Sequence, residues 1–321
     1  MPSDFPTKSG ITRAWLLGSR LRSVQQLGGG IVKDRSVFED HYAPDQMQEL
    51  VREFEADAPG MPSSYPDAFF RHFYSPMIPY GPRLALAGGI RGGWQQQMIP
   101  PGTYGGAWYK YDITSAYLWA GLEGLPDPTR YRYADRITHL PGLYRCELAP
   151  KPGAPFPYNY GGTFLVSPHE IEFYSLEVRR IYWGVLYPDG AYLDPEPFRR
   201  AVMRWSFYKA VGRSYWGRWA SEMPVTCETW KHGSRNTARE LNNPFYNPVW
   251  AHLIVSRVRA KLWSATQGRR VARVYVDSII CDTPLETGQN WGDWRLEESY
   301  PCGISIAGLN SVRPANAAHA A

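Results

Sequence analysis

The sequence contains few cysteines and no long apolar segment. Its four cysteines lie far apart and form no C-x-x-C pair, which argues against a zinc site: Cys146, Cys227, Cys281 and Cys302. We expect four buried free thiols in a reducing compartment. No apolar run approaches the roughly 20 residues that a membrane helix needs, and the N-terminus has no signal-peptide pattern. These absences predict a soluble intracellular protein without a membrane partner.

Lysine is also scarce, whereas arginine and aromatic residues are abundant. Only seven of the 35 basic residues are lysines, the formal net charge is +5, and 15% of the residues are aromatic. Arginine pairs with phosphate and stacks on rings, so this composition favours a nucleic-acid partner. A GC-rich coding sequence that favours arginine codons explains it equally well. The 44% hydrophobic and 20% charged residues are typical of a globular protein and exclude disordered or collagen-like classes.

The pattern of apolar residues changes near Leu84. Before this residue we predict mostly helix, including one at 45–57 that ends before Pro59-Gly60. After it, short apolar runs broken by Gly and Pro predict strands and turns. Further helices are predicted at about 197–218 and 249–266, followed by a strand pair around 273–282 and a last stretch at 291–312.

Two aspartates stand where predicted strands end. Asp112 follows the aromatic strand that begins at Trp108, and Asp277 lies at the tip of an apolar hairpin. Carboxylates at such positions can converge across adjacent strands and hold two Mg²⁺ ions for phosphoryl transfer. Taken singly, each aspartate is more often a turn residue or a helix cap.

The surroundings of both aspartates resemble family-B DNA polymerases, most closely the protein-primed phage and plasmid branch. Asp112-x-x-Ser115-x-Tyr117 matches the first motif of the family's palm, or catalytic domain, D-x-x-S-L-Y. Tyr275-Val276-Asp277-Ser278 is similar to the third motif, Y-x-D-T-D-S, although the first Asp of that motif is missing.

Four further segments extend the resemblance over roughly residues 63–312. Lys209-x-x-x-Arg213 with Trp216 is similar to the fingers motif K-x-x-x-N-S-x-Y-G-K, with Arg and Trp in place of Asn and Tyr. The stretch at 90–94, Ile-Arg-Gly-Gly-Trp, resembles the family's Y-x-G-G template-strand loop. Asn247-Pro248 and the helix after it fit the segment before the third motif, and 292–297 fits the stretch after it.

The resemblance implies a site. Asp112 and Asp277 would be catalytic and would bind two Mg²⁺ ions, for which Mn²⁺ can substitute, and the Ile113 carbonyl would complete the ligand set. Tyr117 would lie under the incoming sugar and exclude a 2′-hydroxyl; the alternative is a core aromatic residue. The other implied nucleotide-binding residues are Ser115, Arg199, Lys209, Arg213 and Trp216. The implied DNA-binding residues are Arg91, Gly92, Gly93, Trp94, Arg257, Arg259 and Ser278.

Simple geometry supports two parts of this assignment. If 198–213 is one helix, Arg199, Lys209 and Arg213 share a face, as a triphosphate requires, although a solvated basic face has the same spacing. Glycines at 92 and 93 let backbone N–H groups approach a phosphate.

The resemblance also has gaps. Only about 85 residues precede the palm, so we expect no proofreading exonuclease. The fingers would be truncated, because only 198–219 is available for them. Asn310-Ser311-Val312 stands where relatives carry a Lys-x-Tyr primer-strand motif, so we expect no thumb.

The expected fold is α+β: a polymerase palm, built as an antiparallel sheet with helices on one face, with short fingers and a helical N-terminal extension. The predicted segments are a helical extension at 1–85, palm at 86–196 and 221–312, fingers at 197–220, and a disordered tail at 313–321.

The expected function is DNA-directed DNA polymerase activity, a nucleotidyl transfer that serves DNA replication in a phage or mobile element. The substrates would be a DNA primer–template and dNTPs, a priming or clamp-like protein is a candidate partner, and the location would be the cytoplasm, or the host cytoplasm for a virus. Two alternatives stay open: a primase or priming nucleotidyltransferase on the same palm, and a degenerate palm that only binds DNA.

Overall fold

The computed structural model describes residues 92–127, 129–188 and 246–315, the single residues 86, 216, 219 and 220, and the backbone of four further strands. The chain forms two compact units. Unit 1 comprises Met1–Pro76 and Asp194–Ser221, and unit 2 comprises Met77–Leu193 and Glu222–Ala321.

Strands β1 (Ser23–Leu27) and β2 (Gly30–Lys33) form an antiparallel hairpin in unit 1. This stretch belongs to the segment that the sequence predicts to be helical, so that prediction is wrong here. The physical reason is visible in the sequence: β-branched residues flank a run of three glycines, which is a hairpin signal.

The helix predicted at 45–57 lies outside the described residues. Trp216 and Trp219 are helical, and Trp219 is buried.

A five-stranded antiparallel sheet forms the centre of unit 2. Its strands are β3 (Trp94–Gln97), β5 (Trp108–Ile113), β12 (Val271–Val276), β13 (Ser278–Cys281) and β14 (Trp294–Tyr300). Their order across the sheet is β14-β5-β13-β12-β3. Strands β12 and β13 are the predicted strand pair, which is thereby confirmed.

Three α-helices of unit 2 are described along their length: α1 (Ala116–Leu122), α2 (Pro168–Phe173) and α3 (Pro248–Thr266). Helix α3 begins where the sequence predicts, because the Asn247 side chain accepts a hydrogen bond from the Trp250 N–H and Pro248 takes the first helical position. It packs against α1 and against strands β12 and β13.

Two smaller sheets complete the described core. Strands β4 (Gly102–Tyr104), β15 (Ile304–Gly308) and β16 (Ser311–Pro314) form the order β16-β15-β4. Their apolar side chains pack with Trp108 and Ile280 of the central sheet. Strands β6 (Arg132–Ala134), β7 (Gly142–Leu148), β8 (Gly162–Val166) and β9 (Val178–Leu186) form the order β6-β9-β7-β8 and pack with α2.

The remaining strands, β10 (Pro224–Lys231) and β11 (Ser234–Leu241), form an antiparallel hairpin. Strand β16 includes Arg313 and Pro314, so the predicted disordered tail is wrong at these two positions, where backbone pairing with β15 orders the chain. The described part of the chain is therefore mixed α and β with antiparallel sheets.

The described cysteines agree only in part with expectation. Cys146 and Cys281 are buried free thiols, but Cys302 is exposed because it lies in the turn after β14.

Among the helices that the structure describes, none is long and apolar enough to cross a membrane.

Candidate functional site

Strand register brings Asp112 and Asp277 to the same end of the central sheet. Asp112 is the second-last residue of β5, and it lies opposite Ser278 on β13. Asp277 directly precedes Ser278, and its carbonyl accepts a hydrogen bond from the Ile113 N–H at 2.9 Å. The two aspartates therefore occupy neighbouring positions on adjacent chain segments, as their placement at a strand end and a hairpin tip predicts.

A tight turn presents Asp277. Val276 has φ +60°, and the Asp277 N–H donates to the Tyr275 carbonyl at 2.8 Å, which is the bonding of a γ-turn. The Ser278 hydroxyl donates to the same carbonyl at 3.0 Å. A β-branched residue with positive φ is strained and persists only where its surroundings hold it, often at a functional site.

This geometry changes the interpretation of Ser278. Its side chain is buried and its hydroxyl holds the turn. We therefore replace the implied contact with DNA by a role in fixing the position of Asp277.

Ser115 and Tyr117 connect β5 to α1 beside the aspartates. Ser115 has left-handed backbone angles, φ 49° and ψ 45°, which turn the chain from the strand into the helix. Burial raises the pKa of the Tyr117 hydroxyl well above its ordinary value, and the nearby Asp277 carboxylate raises it further. Tyr117 is therefore a neutral hydroxyl close to Asp277.

Gly93 lies against the same turn. A Cβ atom on Gly93 would come within 3.0 Å of the Val276 Cα and 3.1 Å of the Tyr117 hydroxyl, whereas a Cβ on Gly92 would meet nothing within 4 Å. Of these two glycines, only Gly93 is required by close packing.

Arg259 holds the main chain at Gly92 from inside the protein. Its guanidinium donates to the Gly92 carbonyl at 3.0 Å and lies 3.7 Å from the Glu170 carboxylate. The side chain is only 2% exposed. The implied contact of Arg259 with DNA is therefore wrong for this conformation, because a buried guanidinium has no access to a phosphate.

Glu170 is the centre of this interior group, which we call the buried Glu170 cluster: Tyr158, Ser167, Glu170, His252 and Arg259. Its carboxylate accepts hydrogen bonds from the Tyr158 hydroxyl at 2.9 Å and the Ser167 N–H at 3.0 Å, and it lies 2.7 Å from His252 Nε2. Burial alone would raise the pKa of Glu170, but His252 and Arg259 hold it well below its ordinary value. The cluster therefore contains an ionised carboxylate.

Arg257 and Trp94 also have structural partners. The Arg257 guanidinium donates to the Ala120 and Gly124 carbonyls, each at 2.7 Å, and so bonds the C-terminal end of α1. Trp94 is 2% exposed and begins β3. The implied DNA contact is wrong for buried Trp94, and for Arg257 the structure shows helix capping instead.

Three charged residues of alternating sign, Arg295, Glu297 and Lys110, extend from Asp112 along β14 and β5. Arg295 Nη2 lies 3.1 Å from Asp112 Oδ2 and 3.2 Å from Glu297 Oε1, and Lys110 Nζ lies 2.8 Å from Glu297 Oε2. Burial acts to raise the pKa of Glu297, but the Lys110 and Arg295 cations lower it overall. A cation thus contacts Asp112 within the protein itself.

The oxygens at Asp112 and Asp277 suit a magnesium site. Within the part of the chain that the structure describes, no group of three or more His, Cys, Asp or Glu side chains could hold a metal ion. Mg²⁺ keeps several waters and commonly binds through one or two carboxylates together with substrate phosphates, so two aspartates fit it. The Ile113 main chain lies beside both, and its carbonyl stays a predicted ligand.

Several implied residues lie outside the described part of the chain: Arg91, Arg199, Lys209 and Arg213. Trp216 is a half-buried helical residue of unit 1. Their roles in binding DNA or nucleotide stay predictions.

Sequence reasoning missed the buried Glu170 cluster and Arg295. One signal was available: Ser167-Pro168-His169-Glu170 has the S-x-x-E spacing of a capping box, and both of its hydrogen bonds are present. No sequence signal shows that Glu170 also reaches His252 and Arg259 on another helix.

Comparison with solved structures shows a DNA polymerase fold. Phi29 DNA polymerase complexed with primer-template DNA matches with a TM-score of 0.57 and 16% identity, over 87% of this chain and 59% of that one. The complex with single-stranded DNA matches with a TM-score of 0.61 and 14% identity, over 92% and 63%. The ternary complex with incoming nucleotide substrates gives 0.58 and 15%, over 88% and 61%.

These matches define the limits of the likeness. The chain spans only about three fifths of the length of the polymerase structures that it resembles. No family model and no curated protein sequence matches it. At these identities the likeness shows the fold, which is similar to that of Phi29 DNA polymerase.

Proposed function

We propose that this protein catalyses template-directed nucleotidyl transfer on DNA, with Asp112 and Asp277 as the residues that hold two Mg²⁺ ions, or Mn²⁺ in their place. The observation that carries the proposal is the register of β5 with β13, which brings both carboxylates to one end of the central sheet. The similar fold of a polymerase complexed with primer-template DNA supports DNA as the partner.

Three groups of the chain would bind the metal ions. Asp112, Asp277 and the Ile113 carbonyl supply hard oxygen ligands, and the γ-turn keeps Asp277 in place. When bound, the metal ions would lower the pKa of the primer 3′-hydroxyl and neutralise charge on the phosphates.

Tyr117 would select the sugar. Its hydroxyl lies close to Asp277 and stays protonated because burial and that carboxylate both raise its pKa. A ring at this position would leave no room for a 2′-hydroxyl, which favours dNTPs over NTPs.

The buried Glu170 cluster would position the template-side loop. Arg259 bonds the Gly92 carbonyl, and Gly93 packs on Val276 and Tyr117. These contacts connect the glycines at 92 and 93, the γ-turn at Val276 and Tyr117 to helix α3. The loop's backbone N–H groups would then face a template phosphate.

One observation favours a second candidate, a DNA-binding protein without catalysis. Arg295 already neutralises Asp112, so the carboxylate has a cationic partner without any metal. A binding protein would not need two aspartates at one end of the sheet, however, and this is why we place nucleotidyl transfer first.

One assay separates the candidates. The protein is incubated with Mg²⁺ and labelled dNTPs or NTPs on a DNA template, with and without a primer. Polymerase activity predicts incorporation of dNTPs only when a primer is present. Primer-independent products would indicate a priming enzyme, and DNA binding without any product would indicate the non-catalytic alternative.

A further inference from the structure

Arg295 lies directly opposite Asp112 in the register of β14 and β5. Its Nη2 atom is 3.1 Å from Asp112 Oδ2 and 3.2 Å from Glu297 Oε1. One nitrogen is therefore shared between two carboxylates. A guanidinium in this position can leave Asp112 and still keep Glu297 as its partner.

The pairing of Arg295 with Asp112 is easy to break. The Arg295 side chain is 54% exposed, whereas that of Asp112 is 16% exposed. Ion pairs with this degree of exposure change an equilibrium constant by about fivefold at most. A cavity of about 530 Å³, lined by Thr114, Gln289 and Arg295 itself, gives the guanidinium room to move.

We propose that Arg295 is the internal counter-ion of Asp112 and competes with a divalent cation for that carboxylate. The proposal rests on the assignment of Asp112 to the metal site in the proposed function. A divalent cation and a guanidinium at one carboxylate oxygen repel each other, so binding of the cation displaces Arg295 towards Glu297. Arg295 thereby sets the concentration of divalent cation that the site requires.

Direct metal binding tests this competition without relying on catalysis. Mn²⁺ is titrated into the metal-free protein at low salt, and free Mn²⁺ is followed by electron paramagnetic resonance. We expect Arg295→Gln to bind Mn²⁺ about two- to fivefold more tightly than wild type, the range set by an exposed ion pair. The gain should shrink in 0.5 M NaCl, where exposed charges are screened.

Two further variants act as controls. Arg295→Lys keeps the cation and should bind Mn²⁺ with nearly wild-type affinity. Arg136→Gln removes a cation from an exposed bend after β6 and should leave Mn²⁺ affinity unchanged. A gain equal to that of Arg295→Gln in Arg136→Gln would show a general charge effect and would overturn the proposal.

The remaining outcomes separate this inference from the proposed function. Equal or weaker Mn²⁺ binding by Arg295→Gln, with binding still lost in Asp112→Asn, would overturn the counter-ion role and leave the metal site intact. Unchanged binding by Asp112→Asn would instead overturn the metal assignment itself.

Discussion

The substitution Glu170→Gln removes the charge at the centre of the buried Glu170 cluster and keeps the shape of the side chain. In wild type the carboxylate receives hydrogen bonds from Tyr158 and Ser167 and contacts the cationic Arg259. The glutamine amide can still accept some of these bonds. It leaves Arg259, which is 2% exposed, as a buried cation without an anionic partner.

Removal of one partner from a buried ion pair costs about 3–5 kcal/mol. Because glutamine keeps part of the hydrogen bonding, we expect the lower end, about 3 kcal/mol in the free energy of unfolding. With a urea dependence of about 3 kcal/mol per molar, the unfolding midpoint should fall by about 1 M.

The loss of unfolding free energy in Glu170→Gln should depend on pH in a defined direction. The pKa of folded Glu170 lies below its ordinary value of 4.5, so its stabilisation is fully present above that pH and is lost as the pH falls below it. The difference in stability between wild type and Glu170→Gln should therefore be largest near pH 7 and should shrink below about pH 4.5.

Urea unfolding followed by tryptophan fluorescence measures this difference, because Trp263 packs against the core around Tyr174 near the cluster. Glu172→Gln makes the same chemical change at an exposed position of the same helix and should shift stability by less than about 0.5 kcal/mol. Equal midpoints for wild type and Glu170→Gln at pH 7, or a difference that does not change with pH, would refute the reasoning.

Three other substitutions follow from the packing around the aspartates. Gly93→Ala should lower nucleotide incorporation more than Gly92→Ala in the same extension assay, because only the Cβ on residue 93 would press on Val276 and Tyr117. Tyr117→Ala should raise the ratio of ribonucleotide to deoxyribonucleotide incorporation; a wild type that already uses both equally would contradict the assigned role. Gly292→Ala should lower the free energy of unfolding by about 1–3 kcal/mol in urea titrations, because Gly292 has φ +89° and faces the Trp119 ring.

The position of the two aspartates could be predicted because it depends on local rules. An aromatic strand before Asp112 and an apolar hairpin around Asp277 are both visible in the sequence, and antiparallel pairing then brings their ends together. The start of α3 is similarly local, since Asn247 and Pro248 are typical first residues of a helix.

The burial and the bonding partners of Arg257 and Arg259 could not be predicted from such local rules. Residues two apart on a helix point in different directions, so the two arginines could not share one DNA-facing surface. Which of them is buried depends on a carboxylate from α2, Glu170, that is 89 residues away from Arg259 in the sequence. The helix α3 is apolar on most of its surface, so its periodicity marks no single solvent face.

The β1–β2 hairpin in unit 1 shows a different limit of prediction from sequence. The glycine run at 28–30 and the β-branched residues around it are a turn signal, whereas the helical pattern at 45–57 favours helix for the same segment, so composition alone does not place the boundary between the two.

The most direct test of the central claim is primer extension by Asp112→Asn and Asp277→Asn, compared with Asp135→Asn at an exposed bend. Loss of a metal ligand should cost several kcal/mol in the transition state, so we expect incorporation of dNTPs to fall by about a thousandfold or more in both site variants. DNA binding, measured by fluorescence anisotropy, should stay near wild type in all three, because phosphate contacts are a separate contribution. Wild-type extension by either Asp112→Asn or Asp277→Asn would contradict the account.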